Sequence, residues 1–167
     1  MIKFSCEKVF LQNAIAVTSR AVAQKSSIPA LEGLLIHADQ QLTISGYNMQ
    51  TGIRTNVFAN VVEGGDIVLN ARLFGDIIRR MPDDVVVFTA DDKQLVHLSC
   101  GAADFDILGL SAADYPDLPE VEDEYAVSMQ QKVLRSMIEE VAFAVSTNES
   151  RPVHTGALFE IADMSLS

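Results

Sequence analysis

The sequence repeats itself. Ser27, Pro29, Gly33 and Leu35 recur as Ser150, Pro152, Gly156 and Leu158, so both stretches read Ser-x-Pro-x-x-x-Gly-x-Leu. Each stretch follows a helix-like segment, and Lys8-Val9 in the first is matched by Lys132-Val133 in the second. The copies lie 123 residues apart at the leucine and 124 apart at the lysine, one residue having been lost in the loop. Such a period constrains the architecture before any single motif is read, because each copy must carry the same supersecondary plan. The first copy fills residues 1–121, and the second, 122–167, is too short to complete that plan. A sheet stopped inside a strand leaves an unpaired edge and an unfilled core. The expectation is one complete domain at 1–121, the start of a second at 122–167, and a chain that is a piece of a longer repeat protein.

Within the first copy, Met1 to Cys6 alternates as a strand does and Glu7 to about Ala23 reads as a helix. On a helical wheel Val17, Phe10, Ala21, Ala14, Leu11, Val22 and Ile15 share one arc of roughly 160°, opposite Lys8, Gln12, Asn13, Ser19 and Arg20. Strands are expected at Leu31 to Ala38, Gln41 to Tyr47, Thr51 to Phe58 and Ile67 to Leu69. Ala71 to Arg80 reads as a second amphipathic helix stopped by Pro82, with Leu73, Phe74, Ile77 and Ile78 on its apolar side. Three strands follow at Val85 to Thr89, Gln94 to Ser99 and Asp104 to Leu108, the first two forming a hairpin across Ala90 to Lys93. A linker rich in Asp, Glu and Pro runs from Ser111 to Glu124. The second copy then begins with a strand at Tyr125 to Met129, a helix from about Gln130 to Val145, a loop at Ser146 to Arg151 and a strand at Gly156 to Ile161.

Composition fits a globular protein, with 49% hydrophobic and 21% charged residues. No apolar run approaches the roughly 20 residues that a membrane helix needs, and MIKFSCEKVF lacks the apolar stretch of a secretory signal. Cys6 and Cys100 fall in strand-like segments, where two free buried thiols of a cytoplasmic protein are expected in preference to a disulfide. The net charge of −11 argues at first against nucleic acid, because counterion release rewards a basic protein. The charges are segregated, however. The three helices carry seven basic residues against four acidic ones, and the rest of the chain five basic against 19 acidic. Helices gathered on one surface would give a basic face on an acidic body, although Lys and Arg also serve as ordinary solvated helix formers.

An active site is harder to find. Asp83-Asp84 and Asp91-Asp92 would suit a metal-dependent hydrolase, but both pairs sit at turn positions where Asp is ordinary. His97-x-x-Cys100 has a metal-like spacing, yet strand alternation puts the two on opposite faces and no second pair completes a set of ligands. His37 and His154 read as strand or loop residues, Gly64-Gly65 is a turn, and no phosphate-binding glycine loop or nucleophile elbow is present. A repeat-built scaffold that binds only proteins remains the competing non-enzymatic reading.

The opening MIKFSCEKVFLQNAIAVTSRAV, the run Lys25-Ser26-Ser27-Ile28-Pro29-Ala30-Leu31 leading into Gly33-Leu34-Leu35-Ile36, and above all Leu110-Ser-Ala-Ala-Asp-Tyr-Pro-Asp-Leu-Pro119 resemble the bacterial DNA polymerase III beta subunit, or DNA sliding clamp, family. Ser150-Arg151-Pro152 with Gly156-Ala157-Leu158-Phe159 is similar to the same point in that family's second domain. The resemblance implies an α+β DNA-clamp fold, each domain having two inward-facing helices packed on two small antiparallel sheets, with the third domain absent here. It implies a non-catalytic processivity factor of DNA replication, without cofactor or metal: a head-to-tail homodimeric ring that encircles duplex DNA and tethers the polymerase. Its partners would be double-stranded DNA without sequence preference, the DNA polymerase III alpha subunit, the clamp loader and other clamp-binding peptides, and no membrane. By position, Lys25, Arg72, Arg79, Arg80, Asn148 and Arg151 would meet DNA, with Glu149 and Ser150 on the same loop. Pro152 and Val153 stand where some relatives have aromatic residues. Phe105 and Ile107, with Phe74 and Ile78 from the second helix, would lie at the dimer interface. The pocket for polymerase peptides would fall almost wholly after Ser167.

Overall fold

The computed structural model describes residues 1–119, 127–148, 150–162 and 165–166. Two compact units, Met1–Pro119 and Glu120–Ser167, divide the chain.

The first unit runs β1 (Ile2–Glu7), α1 (Lys8–Thr18), β2 (Gly33–Ala38), β3 (Leu42–Tyr47), β4 (Gly52–Val57), β5 (Asn60–Glu63), β6 (Gly65–Asn70), α2 (Ala71–Arg80), β7 (Val85–Ala90), β8 (Leu95–Cys100) and β9 (Ala103–Leu108). Its strands form two antiparallel sheets, ordered β5-β1-β7-β8-β9 and β4-β3-β2-β6. A plan of strand, helix and three strands therefore occurs twice, from β1 to β4 and from β6 to β9. Each half lends its first strand to the other half's sheet, since β1 pairs with β7 and β6 with β2. After its last strand each half returns to its own first strand, across in the other half's sheet: β5 pairs with β1, and Leu110 bridges Val68. The two halves are interlocked, so neither sheet can form without both.

Period-two patterning drives this arrangement. In β7 and β8, Val86, Phe88, Ala90, Val96, Leu98 and Cys100 point inward, while Val85, Val87, Leu95 and His97 point outward. Phe4 and Phe88, opposite each other in register, stack with ring centroids 4.5 Å apart. β3 is buried along its whole length, Thr43 and Ser45 included. β5 was not expected as a separate strand: the chain bends at Phe58-Ala59 with no Gly or Pro to announce the break.

The helices show where sequence patterns end and tertiary contacts begin. α2 has the expected bounds: Asn70 Oδ1 accepts from Leu73 N–H at 3.0 Å, and Pro82 follows. Its Phe74, Ile77 and Ile78 are buried, whereas Leu73 stands half in solvent. α1 stops at Thr18, five residues short of the expected end, and a 3-10 turn continues to Ala21. The Thr18 hydroxyl donates to the Ala14 carbonyl at 2.8 Å. There the helix meets β3 so closely that a Cβ on Gly46 would lie 2.2 Å from the Thr18 carbonyl oxygen. Leu11, Ala14 and Ile15 face the core as expected, but the buried face is rotated from the wheel. Phe10 and Val17 are partly exposed, Phe10 meeting Phe58 at 5.8 Å. Lys8, expected on the polar side, is buried, and its ammonium donates to Asp83 Oδ1 at 2.8 Å.

Cys6 and Cys100 are free and buried. Burial pushes the Cys6 thiol from 9.0 up to about 11, raises Cys100 as well, and pushes the Tyr115 hydroxyl from 10.0 up to about 12. The folded state thus holds these protons longer than the unfolded chain. Stability from Cys6 is complete below pH 9 and is lost as pH rises from 9.0 to about 11. Urea midpoints measured from pH 7 to 11 should hold level and then fall above 9, and a level midpoint throughout would contradict the assignment.

In the second unit α3 (Gln131–Val141) is followed by a 3-10 turn, Ala142–Ala144, and a second one, Pro152–Thr155. The first unit has the same order: an 11-residue helix, a three-residue 3-10 turn, and a 3-10 turn beginning with proline and ending at an extended glycine. Gly33 and Gly156 have matching backbone angles, φ −111° and ψ 173° against φ −128° and ψ 169°. Strands were expected at Tyr125 to Met129 and Gly156 to Ile161. Tyr125 and Ala126 lie outside the described residues, as do 120–124 of the linker, and 127–129 carry no strand. At the second position only β10 (Ile161–Ala162) forms, pairing with β11 (Ser165–Leu166).

Candidate nucleic-acid interface

α1 and α2 lie side by side on the first unit and enclose an open groove of about 850 Å³ between them. Along α2 it is lined by Arg72, Asp76 and Arg79, and along α1 and the 3-10 turn that continues it by Gln12, Ala16 and Ser19. Both sets follow the i, i+4, i+7 spacing of a single helix face. Gln24 and Glu32 also line it. α1 contributes no charge to the groove, so its cations come from α2.

Of the residues expected at DNA, Arg72 and Arg79 are brought together in this groove, and Arg80 stands exposed at the end of the same helix outside it. Lys25 is exposed in the loop after the first 3-10 turn. That loop is braced by Ser26 N–H donating to Glu32 Oε1 at 3.1 Å and Ile28 N–H donating to Ser26 Oγ at 3.1 Å. Asn148 and Arg151 are exposed on the second unit's loop, where Asn148 Oδ1 accepts from Ser150 N–H at 3.0 Å. Glu149 lies outside the described residues. Gln12, Ser19 and Gln24 were missed, because uncharged polar residues carry no signal until the elements around the groove are placed. Arg20, also exposed, carried a signal in the charge pattern.

The sheet faces turned away from the core are acidic. His37 Nδ1 meets Asp66 at 2.5 Å and His97 Nδ1 meets Asp106 at 2.8 Å, each across a directly opposed strand pair. The aspartate pairs that would suit a hydrolase are occupied by local structure. Asp91 Oδ1 accepts from Lys93 and Leu95 N–H at 2.9 Å each, Asp84 Oδ1 from Val85 N–H, and Asp83 pairs with Lys8. Among the described residues no group of three or more His, Cys, Asp or Glu is placed to hold a metal.

The four residues expected at the dimer interface differ in burial within this unit. Phe74 and Ile78 have no exposed surface and Ile107 only 8%, all three lying in the unit's own core. Phe105, 38% exposed on the same face as Ile107, and Leu108 on the other face are the apolar side chains of β9 that keep exposed surface. The outer edge of β9 has no strand partner among the described residues.

Two interlocked antiparallel sheets carrying two helices, with a basic helix face and acidic sheet faces, define the α+β clamp fold. The chain belongs to the DNA polymerase III beta subunit family: residues 2–119 match that family's N-terminal domain. It is 35% identical over 166 residues to the beta sliding clamp of Halalkalibacterium halodurans, a match covering 93% of this chain and 43% of that protein. It is 34% identical over 168 residues to the beta sliding clamp of Lactococcus lactis, covering 96% and 44%. The crystal structure of the beta subunit of Streptococcus pyogenes DNA polymerase superposes with a TM-score of 0.90 at 31% identity, over 97% of this chain and 44% of that one. The chain thus spans less than half the length of these relatives.

Proposed function

We propose that this chain is part of a DNA sliding clamp: its first unit is the first of three domains and its second unit the beginning of the next, in a protomer that closes head to tail with a second copy around duplex DNA. The observation that carries the reading is the segregation of charge, with Arg20, Arg72, Arg79 and Arg80 exposed on the helices and Asp66, Asp104 and Asp106 on the opposite sheet faces. Retention on DNA is then topological. Contacts to phosphates by point charges hold position without reading sequence and exchange easily enough for sliding. Acidic outer faces repel DNA from the wrong side. Lys25, Arg72, Arg79, Arg80, Asn148 and Arg151 are the proposed phosphate contacts, and the open edge of β9 with Phe105 is the proposed dimer contact. The polymerase alpha subunit and the clamp loader would dock elsewhere on the whole cytoplasmic protein, which acts as their tether and catalyses nothing itself.

The test uses the native full-length protein with its loader, on nicked circular DNA and on the same DNA linearised, at high salt. Long retention on circles with rapid loss from free ends is expected. Equally rapid loss from both would mean ordinary electrostatic binding and would sink the ring.

A further inference from the structure

Asp76 is the one acidic residue of α2, and it stands between Arg72 and Arg79 in the groove face. Its Oδ1 accepts from Arg79 Nη1 at 2.9 Å, with both side chains in contact with solvent, 42% and 68% exposed. Such an i, i+3 surface pair contributes little to helix stability, and α2 is already fixed by its Asn70 cap and by buried Phe74, Ile77 and Ile78. The other acid in the groove, Glu32, has a structural task, since it accepts from Ser26 N–H and braces the loop that carries Lys25. Asp76 has no hydrogen-bond partner except Arg79 among the described residues. Its charge is therefore spent on the cation that the groove presents.

We infer that Asp76 limits the grip of the helix face on DNA, by holding Arg79 in an ion pair that withholds one cation from the phosphates. The inference rests on the DNA reading above and deepens it. A ring held by topology gains nothing from tight contacts, and each phosphate neutralised slows its movement. An arginine shared between a carboxylate and a passing phosphate exchanges partners locally, within the screening length of about 8 Å at physiological salt.

The test is association of the native full-length protein with a short linear duplex, followed by fluorescence anisotropy across a fourfold range of salt. Asp76→Asn keeps the side-chain shape and removes the charge. It is expected to steepen the salt dependence by about one phosphate contact, so that its advantage over wild type grows about 3.5-fold as salt is lowered fourfold. In an Arg79→Gln background the same substitution should change the slope little, because no cation is left to release. An equal gain in both backgrounds would mean a general charge effect and would overturn the inference. So would an unchanged slope, or a loss of stability without a change of slope, even where Arg72→Ala weakens binding and the DNA reading stands. Salt-independent association of every form would overturn the DNA reading and this inference with it.

Discussion

Truncating Phe74 to alanine is expected to destabilise the first unit by about 3–5 kcal/mol. The ring is wholly buried on the inner side of α2, in the cluster that includes Ile15, Ile78 and Phe88. Its removal takes apolar surface from the core and leaves a cavity that the interlocked sheets cannot collapse around. A domain of this size typically has a total stability of about 5–15 kcal/mol, so the variant should melt at least 12 °C or so lower, taking about 4 °C per kcal/mol as the low end. Phe105→Ala is the matched control. With 38% of its surface already in solvent, Phe105 should cost far less stability while weakening any contact made along β9. Calorimetry of both variants, with sedimentation of the full-length protein, separates the roles. A Phe74→Ala variant that keeps its melting temperature but no longer self-associates would return Phe74 to the interface and contradict the packing.

The same residues explain what could be seen in the sequence. The repeat was legible because its proline in both copies, and its glycine in the first, have local physical work. Proline begins a 3-10 turn in both copies, and Gly33 admits β6 so closely that a Cβ would lie 2.8 Å from the Leu69 carbonyl oxygen. α2 was legible to its last residue because Asn70 and Pro82 punctuate it. The end of α1 was not, since it is set by Gly46, 28 positions further along the sequence. Lys8 misled for the same reason: a lysine reads as solvent-facing until Asp83, 75 residues away, is folded against it. Charge segregation could be counted from the sequence, but the partnership of Arg72 and Arg79 with the uncharged face of α1 required the packing of two helices. Phe74 and Ile78 were legible as the apolar side of α2, but that they lie wholly within the unit's own core is seen only in the packing.

Replacing Lys25, Arg72 and Arg151 together by alanine carries the largest expected effect on DNA association. All three are exposed, and none is part of an ion pair among the described residues, so their removal leaves no buried charge and folding should be unaffected. If each neutralises one phosphate, the slope of log affinity against log salt becomes shallower by about 2.7, at roughly 0.9 per contact. Over a fourfold range of salt the wild-type protein would then lose about 40-fold more affinity than the variant. The size of the slope change is the informative quantity. A change near 2.7 means that both units contribute to one track along the backbone, as a clamp requires. A change near 1.8, reproduced by Lys25→Ala with Arg72→Ala alone, would place Arg151 off the path and confine the interface to the first unit. No change of slope, with circular dichroism and melting intact, would mean that these cations merely solvate the surface. The protein-binding scaffold would then be the better account of a basic face on an acidic body.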